Sequence, residues 1–247
     1  MTDFDREKFE ALMGNAVNMH IGHYYEDALA ASTEAYEMAP DNTFEKGRAA
    51  RDNGARCDRL GRTKEAEKWA KEAYAIHDGL VNSMVRPSRE ALRERSVSAM
   101  YVGVNGLRNV LGYGIPLDYQ TTEPSPVDYM RQTWSDIGEA KAMAPTVIDQ
   151  LVDQYEVNAV RRVSIAESLM GNRRRGLSLG IRAVGLAIMS ESPRLDTSNP
   201  NMDGKLRTKA KYKALLGGVA ALGVNLLAAK ESTTRRKLAL MIADKTI

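Results

Sequence analysis

Cysteine is nearly missing from this 247-residue chain. Cys57 stands alone, which excludes an intrachain disulfide framework and any zinc site built from several thiolates. Aromatic residues amount to only 6%, too few for an immunoglobulin-like sandwich or a broad base-stacking platform. Long hydrophobic runs are missing as well. The longest uncharged apolar stretch, Ala214–Ala229, has 16 residues and includes three glycines and Asn225, whereas a bilayer span needs about 20 apolar residues. It reads as a helix buried by other helices. The N-terminus (Met1-Thr2-Asp3-Phe4-Asp5) is acidic and lacks the apolar core of a secretory signal. A cytoplasmic protein without membrane contact is therefore expected. Sustained alternation of apolar and polar residues is also lacking, so a β architecture is not expected.

What is present is ordinary for a folded chain: 43% hydrophobic and 27% charged residues. At this length roughly 70–75% of the unfolded surface is buried on folding, so no metal or disulfide staple is required. The net charge of +3 conceals an asymmetry. Residues 146–247 hold 17 Lys+Arg against 9 Asp+Glu, whereas residues 1–145 hold 18 against 23. Such polarity points to an acidic partner for the C-terminal half, or to attraction between the halves or between copies in a homo-oligomer.

Helical spacing dominates. Helices are predicted at about 7–22 (with Leu12, Ala16 and Met19 on one stripe), 25–38, 44–60, 64–77 and 88–111. Pro40 stops the second, Gly61 closes the third and Ser88 caps the fifth. Residues 112–127 concentrate glycine and proline and are the candidate linker between 1–111 and 128–247. Further helices are predicted at about 128–143, 147–170, 174–190, 205–230 and 233–245, with a loop at 192–204. The expected fold is all-α, about ten helices in antiparallel hairpins.

A repeat lies within this pattern. His23-Tyr24-Tyr25-Glu26-Asp27-Ala28-Leu29 aligns with Gly61-Arg62-Thr63-Lys64-Glu65-Ala66-Glu67, 38 residues on, and Ala35-Tyr36 with Ala73-Tyr74. Ala28 and Ala35, like Ala66 and Ala73, are seven residues apart, which places each pair on one helix face where a neighbour can approach closely. Together with Asn53-Gly54, Cys57 and Leu60-Gly61, these residues resemble the tetratricopeptide repeat family over about Phe9–Asp78. A weaker copy starts at Gly171, with Gly176 and Ala183 at the small positions. The chain departs from the family in placing His23 at the turn glycine and Cys57 at the usual aromatic, and in four extra residues between copies. The resemblance implies a right-handed superhelix or α-solenoid whose concave groove binds another protein or peptide. Its groove residues would be Glu10, Met13, Val17, His20 and Ile21, then Arg48, Arg51, Ala55, Asp58 and Arg59. Met13 and Val17 occupy the places where carboxylate-clamping members carry lysine and asparagine, so that mode is not implied. Internal pairing of these side chains is the competing reading.

Other motifs give less. Gly176-Leu177-Ser178-Leu179-Gly180 matches a nucleophile elbow literally, but no histidine follows His77 and the flanks are helical. Its glycines, with Ala183 and Ala187, read instead as a packing stripe. His20 and His23 (near Glu26 and Asp27) lack a third ligand. His77-Asp78 raises a metal-dependent phosphohydrolase of the HD type as an alternative, with His20 or His23 and Asp118 or Asp149 as further ligands. The competing reading puts His77 in the last turn of its helix, where a cation suits the dipole. Cys57 reads as a packing residue, and Asp149, Asp153 and Glu156 as a solvated face. No glycine-rich phosphate loop occurs, and no cofactor is implied.

The basic clusters carry more weight. Arg173-Arg174-Arg175 and Arg235-Arg236-Lys237 each open a predicted helix, where cations oppose the dipole, and Lys205, Arg207, Lys209, Lys211 and Lys213 crowd another. They invite an anionic partner, an acidic protein surface or nucleic acid, without a pattern for reading bases. A non-catalytic binding protein is the expected function, with nucleic-acid association through the C-terminal half as an alternative.

Overall fold

The computed structural model describes residues 4–113, 124–143, 150–169, 172–189 and 216–227, with Ala239 and Ile242. Every regular element among these residues is helical: α1 (Arg6–Ile21), α2 (Tyr25–Met38), α3 (Phe44–Arg59), α4 (Thr63–Asn82), α5 (Arg89–Tyr113), α6 (Pro126–Met143), α7 (Gln150–Leu169) and α8 (Arg173–Met189). A ninth helical stretch covers 216–227. The chain divides into two compact units, Met1–Gly106 and Leu107–Ile247, a division that falls within α5. Most of the linker expected at 112–127 lies outside the described residues, as does most of the helix expected at 233–245.

In the first unit, α1 packs on α2, α2 on α3 and α3 on α4. The 38-residue spacing that separates Glu10 from Arg48 governs the backbone as well as the sequence. Asp5 caps α1 by accepting from the Lys8 N–H at 2.9 Å, and Thr43 caps α3 by accepting from Lys46 at 3.2 Å. At the other end Tyr24 N–H bonds Met19 C=O and Arg62 N–H bonds Cys57 C=O, both at 2.9 Å, around residues with positive φ. Tyr24 and Arg62 then lead into α2 and α4 with the same φ of −85° and ψ of 66° and 65°.

Ala28, Ala35, Ala66 and Ala73 are fully buried. Phe9, Met13, Ala35, Ala39 and Ala49 form the core beneath, with Leu12, Tyr36 and Met38 against it. The buried stripe of α1 is thus Phe9, Met13 and Ala16 instead of the expected Leu12, Ala16 and Met19. Both stripes have helical spacing, and the one carrying the largest apolar ring takes the inside. α4 also runs past His77 to Asn82. Contacts made by the extra turn hold it: Asp78 pairs with Arg95 at 3.1 Å and accepts from Asn82 at 3.0 Å. His77 is therefore not in a last turn.

In the second unit α7 packs against both α6 and α8. Ala183 and Ala187 are fully buried, and Gly176 and Gly180 admit their neighbours closely. A Cβ on Gly176 would lie 2.3 Å from Ser168 Oγ and 2.9 Å from Asn225 Nδ2; one on Gly180 would lie 2.7 Å from Leu222 Cδ2. The Gly-x-Ser-x-Gly stretch is accordingly a helix-packing stripe, with Ser178 exposed on α8.

Candidate functional site

Glu10 of α1 pairs with Arg48 of α3, 38 residues on, at 3.4 Å. This ion pair is half-exposed at both partners and contributes at most about 1 kcal/mol. At the C-terminal end of α1, Val17 is 43% and Ile21 70% exposed, with Tyr24 exposed beside them. His20 lies half-buried against the Tyr25 ring, centroids 5.1 Å apart. Partial burial lowers its pKa, and the positive charges of Arg56 and Arg59 lower it further. Arg59 is exposed, and Ala55 and Asp58 are half-buried on the same helix. These placements leave Val17, Ile21, Tyr24 and Arg59 as an open surface, with His20 electrostatically linked to α3.

Two expected groove residues are not accessible. Met13 is fully buried in the core, because the α1 stripe turns toward Phe9. Arg51 is drawn inward by Glu94 of α5, hydrogen-bonded to it, with Asp52 3.8 Å away. Burial alone would raise the Glu94 pKa, but the Arg51 charge and hydrogen bond hold it below the usual value. Arg56, only 2% exposed, pairs with Asp52 at 3.3 Å. Internal pairing thus accounts for Arg51 and, more loosely, Arg48. Glu94, Asp52 and Arg56 were not singled out in the sequence; charged residues at otherwise buried helical positions were the available signal.

His77 belongs to the same network. It is fully buried, stacked on Phe44 with centroids 5.7 Å apart, and its Nδ1 lies 2.8 Å from Ser98 Oγ. Burial, reinforced by the Arg51 charge, pushes its pKa down to about 4, so the ring is neutral near pH 7. The expectation of a cation stabilised by a helix dipole is corrected by this placement. His23 Nδ1 lies 2.6 Å from the Tyr25 hydroxyl, and Asp78 is tied to Arg95. Among the described residues no three His, Cys, Asp or Glu side chains gather as a metal site. Asp118 and Asp149, the aspartates that the phosphohydrolase alternative would need, lie outside the described residues. Cys57 is buried, and desolvation with the Glu65 carboxylate nearby pushes its thiol up to about 11, against nucleophilic use at neutral pH.

In the second unit Arg173, Arg174 and Arg175 are exposed at the start of α8. Arg175 Nε lies 3.4 Å from Glu167, a fully buried carboxylate that also takes Arg131 at 2.5 Å and Asn172 Nδ2 at 2.8 Å. Glu156, expected on a solvated face, is instead buried between Lys141 at 2.6 Å and Arg182 at 3.5 Å. The guanidinium of Arg182 also lies over the Trp134 ring, 4.7 Å from its centroid. Arg173 and Arg174 keep their side chains free of partners among the described residues. Lys205, Lys209, Lys213, Arg235, Arg236 and Lys237 lie outside the described residues. No known protein family, no curated protein and no solved structure matches the chain.

Proposed function

We propose that this chain is a non-catalytic binding protein whose first unit is built like a pair of tetratricopeptide repeats and grips another protein or peptide. One observation carries the reading. Two successive hairpins repeat their caps, left-handed turns, buried alanines and lead-in dihedrals at one constant spacing. Repetition of that kind serves stacking, and stacked hairpins expose their first helices side by side as an extended surface. The partner surface would run along α1 and α3, with Val17 and Ile21 as apolar contacts and Arg48 and Arg59 as exposed cations.

Affinity capture from a cognate lysate tests it, comparing the wild type with Val17→Asp/Ile21→Asp and with Arg48→Glu/Arg59→Glu. Val17 and Ile21 are 43% and 70% exposed, so the first variant should change the unfolding free energy by under about 0.5 kcal/mol. The second loses the Glu10–Arg48 pair and should lose about 1 kcal/mol while staying folded. Partners lost from either variant while the fold is retained support the reading. A partner set identical across wild type and both variants refutes it.

A further inference from the structure

α8 and the helical stretch 216–227 lie antiparallel. A Cβ on Gly218 would meet Val184, one on Gly180 would meet Leu222, and one on Gly176 would meet Asn225. α7 closes one side of this seam, through Ser164 and Ser168 against α8 and Arg161 against Gly217. Among the described residues the other side is open. Each seam residue of α8 (Gly176, Gly180, Ala183, Ala187) is followed by an apolar one: Leu177, Ile181, Val184, Ile188. Gly218 and Asn225 are likewise followed by Val219 and Leu226. In two antiparallel helices, a one-residue step from the seam turns both side chains toward the same face. Leu177, Ile181 and Ile188 are 40%, 59% and 56% exposed; Val219 and Leu226 are 53% and 68% exposed. They form one apolar face flanking a shallow trough.

Among the described residues the charge beside this face is at one end. Arg173 and Arg174 lie one helical turn before Leu177, exposed, with no partner for either side chain among the described residues. The 216–227 flank carries no charged residue at all. We propose that this face docks an amphipathic helix of another protein, apolar along one side and acidic at the end that reaches Arg173 and Arg174. Leu177 to Ile188 spans about 16 Å, or three turns of such a helix, and the trough between paired helices suits helix-on-helix packing at about 8–10 Å. The surface is separate from the α1/α3 surface and does not depend on it.

Two labelled 18-residue peptides test the proposal on the full chain, each with leucines at i, i+3, i+4 and i+7 and three glutamates at one end or the other. One of them should bind saturably and weaken at least tenfold when its glutamates become lysines. Ile181→Glu and Leu226→Glu should each weaken it at least tenfold, with helical content and urea midpoint retained. Arg173→Glu/Arg174→Glu should reverse the preference toward the lysine-ended peptide. The proposal is overturned by equal binding of acidic and basic peptides, or by no binding of either. It is also overturned if Ile181→Glu abolishes a concentration-dependent dimer, or if Ile181 and Leu226 mediate binding to phosphatidylserine vesicles. Capture of mixed-sequence DNA through Arg173 and Arg174, with no peptide bound, overturns it too.

Discussion

His23 and Gly61 hold the same left-handed backbone, φ 66° and 73°, at corresponding points of two successive hairpins. At both, the N–H bonds the carbonyl three residues back at 3.1 Å, and the next residue's N–H reaches back five. Only one of the two residues suits that conformation. A side chain in the left-handed region costs roughly 1–2 kcal/mol unless it is glycine. His23→Gly should therefore stabilise the chain by about 0.5–1 kcal/mol in urea unfolding, despite losing the exposed contact to Tyr25. Gly61→Ala should destabilise it by about 1 kcal/mol, although nothing crowds that site. A destabilised His23→Gly would mean that the ring contributes more than the backbone strain removes.

Gly47 and Gly14 give opposite expectations for one substitution. A Cβ on Gly47 would lie 2.4 Å from His77 Nε2, in a buried ring held by Phe44 and Ser98. Gly47→Ala should cost about 1–3 kcal/mol through overpacking. Gly14 has open space and sits within the exposed side of α1, so Gly14→Ala should gain about 0.5–1 kcal/mol. Thermal unfolding of the two variants side by side checks this, and equal effects would contradict the packing.

Stability should fall on mild acidification through His77. Its folded pKa of about 4 is depressed below the ordinary 6.5, so the unfolded chain binds the extra proton. The contribution is present above the unfolded value and is lost as pH falls from 6.5 toward 4. Between pH 7 and pH 5 the loss should be about 2 kcal/mol. Glu94, also depressed, acts below its ordinary 4.5, whereas His20, depressed by partial burial, shares the window with His77. Urea midpoints measured at both values, for the wild type and for His77→Gln, separate this contribution from the rest. An equally steep loss in His77→Gln would assign the proton elsewhere.

Glu167 is the acid on which the second unit converges. Its fully buried carboxylate accepts from Arg131 and Asn172 and faces Arg175, and that bond raises the Arg131 pKa. Glu167→Gln keeps the shape but leaves Arg131 with Asp128, 3.1 Å away and half-exposed, as its remaining countercharge. The expected cost is about 1–2 kcal/mol, read from denaturant unfolding. Glu167→Gln unfolding at the wild-type midpoint would show that the three donors find water instead.

Helix content, the Ser88 cap, the all-α architecture and the 38-residue register were legible in the chain alone. Each depends on neighbours close in sequence: a cap three residues away, a stripe every third or fourth position, a glycine after the last turn. What the stripes faced was not legible. α1 offered two with equal spacing, and only the packing of Phe9 and Met13 against Ala35, Ala39 and Ala49 chose between them. The same holds for charge. Arg51 and Arg59 read alike in sequence, but Glu94 arrives from another helix to take Arg51 inward while Arg59 stays outside. Glu156 read as a solvated acid until Lys141 and Arg182 closed over it. Local spacing decides where helices form because their hydrogen bonds close within four residues. Which side chains stay available for a partner is decided by contacts between distant segments.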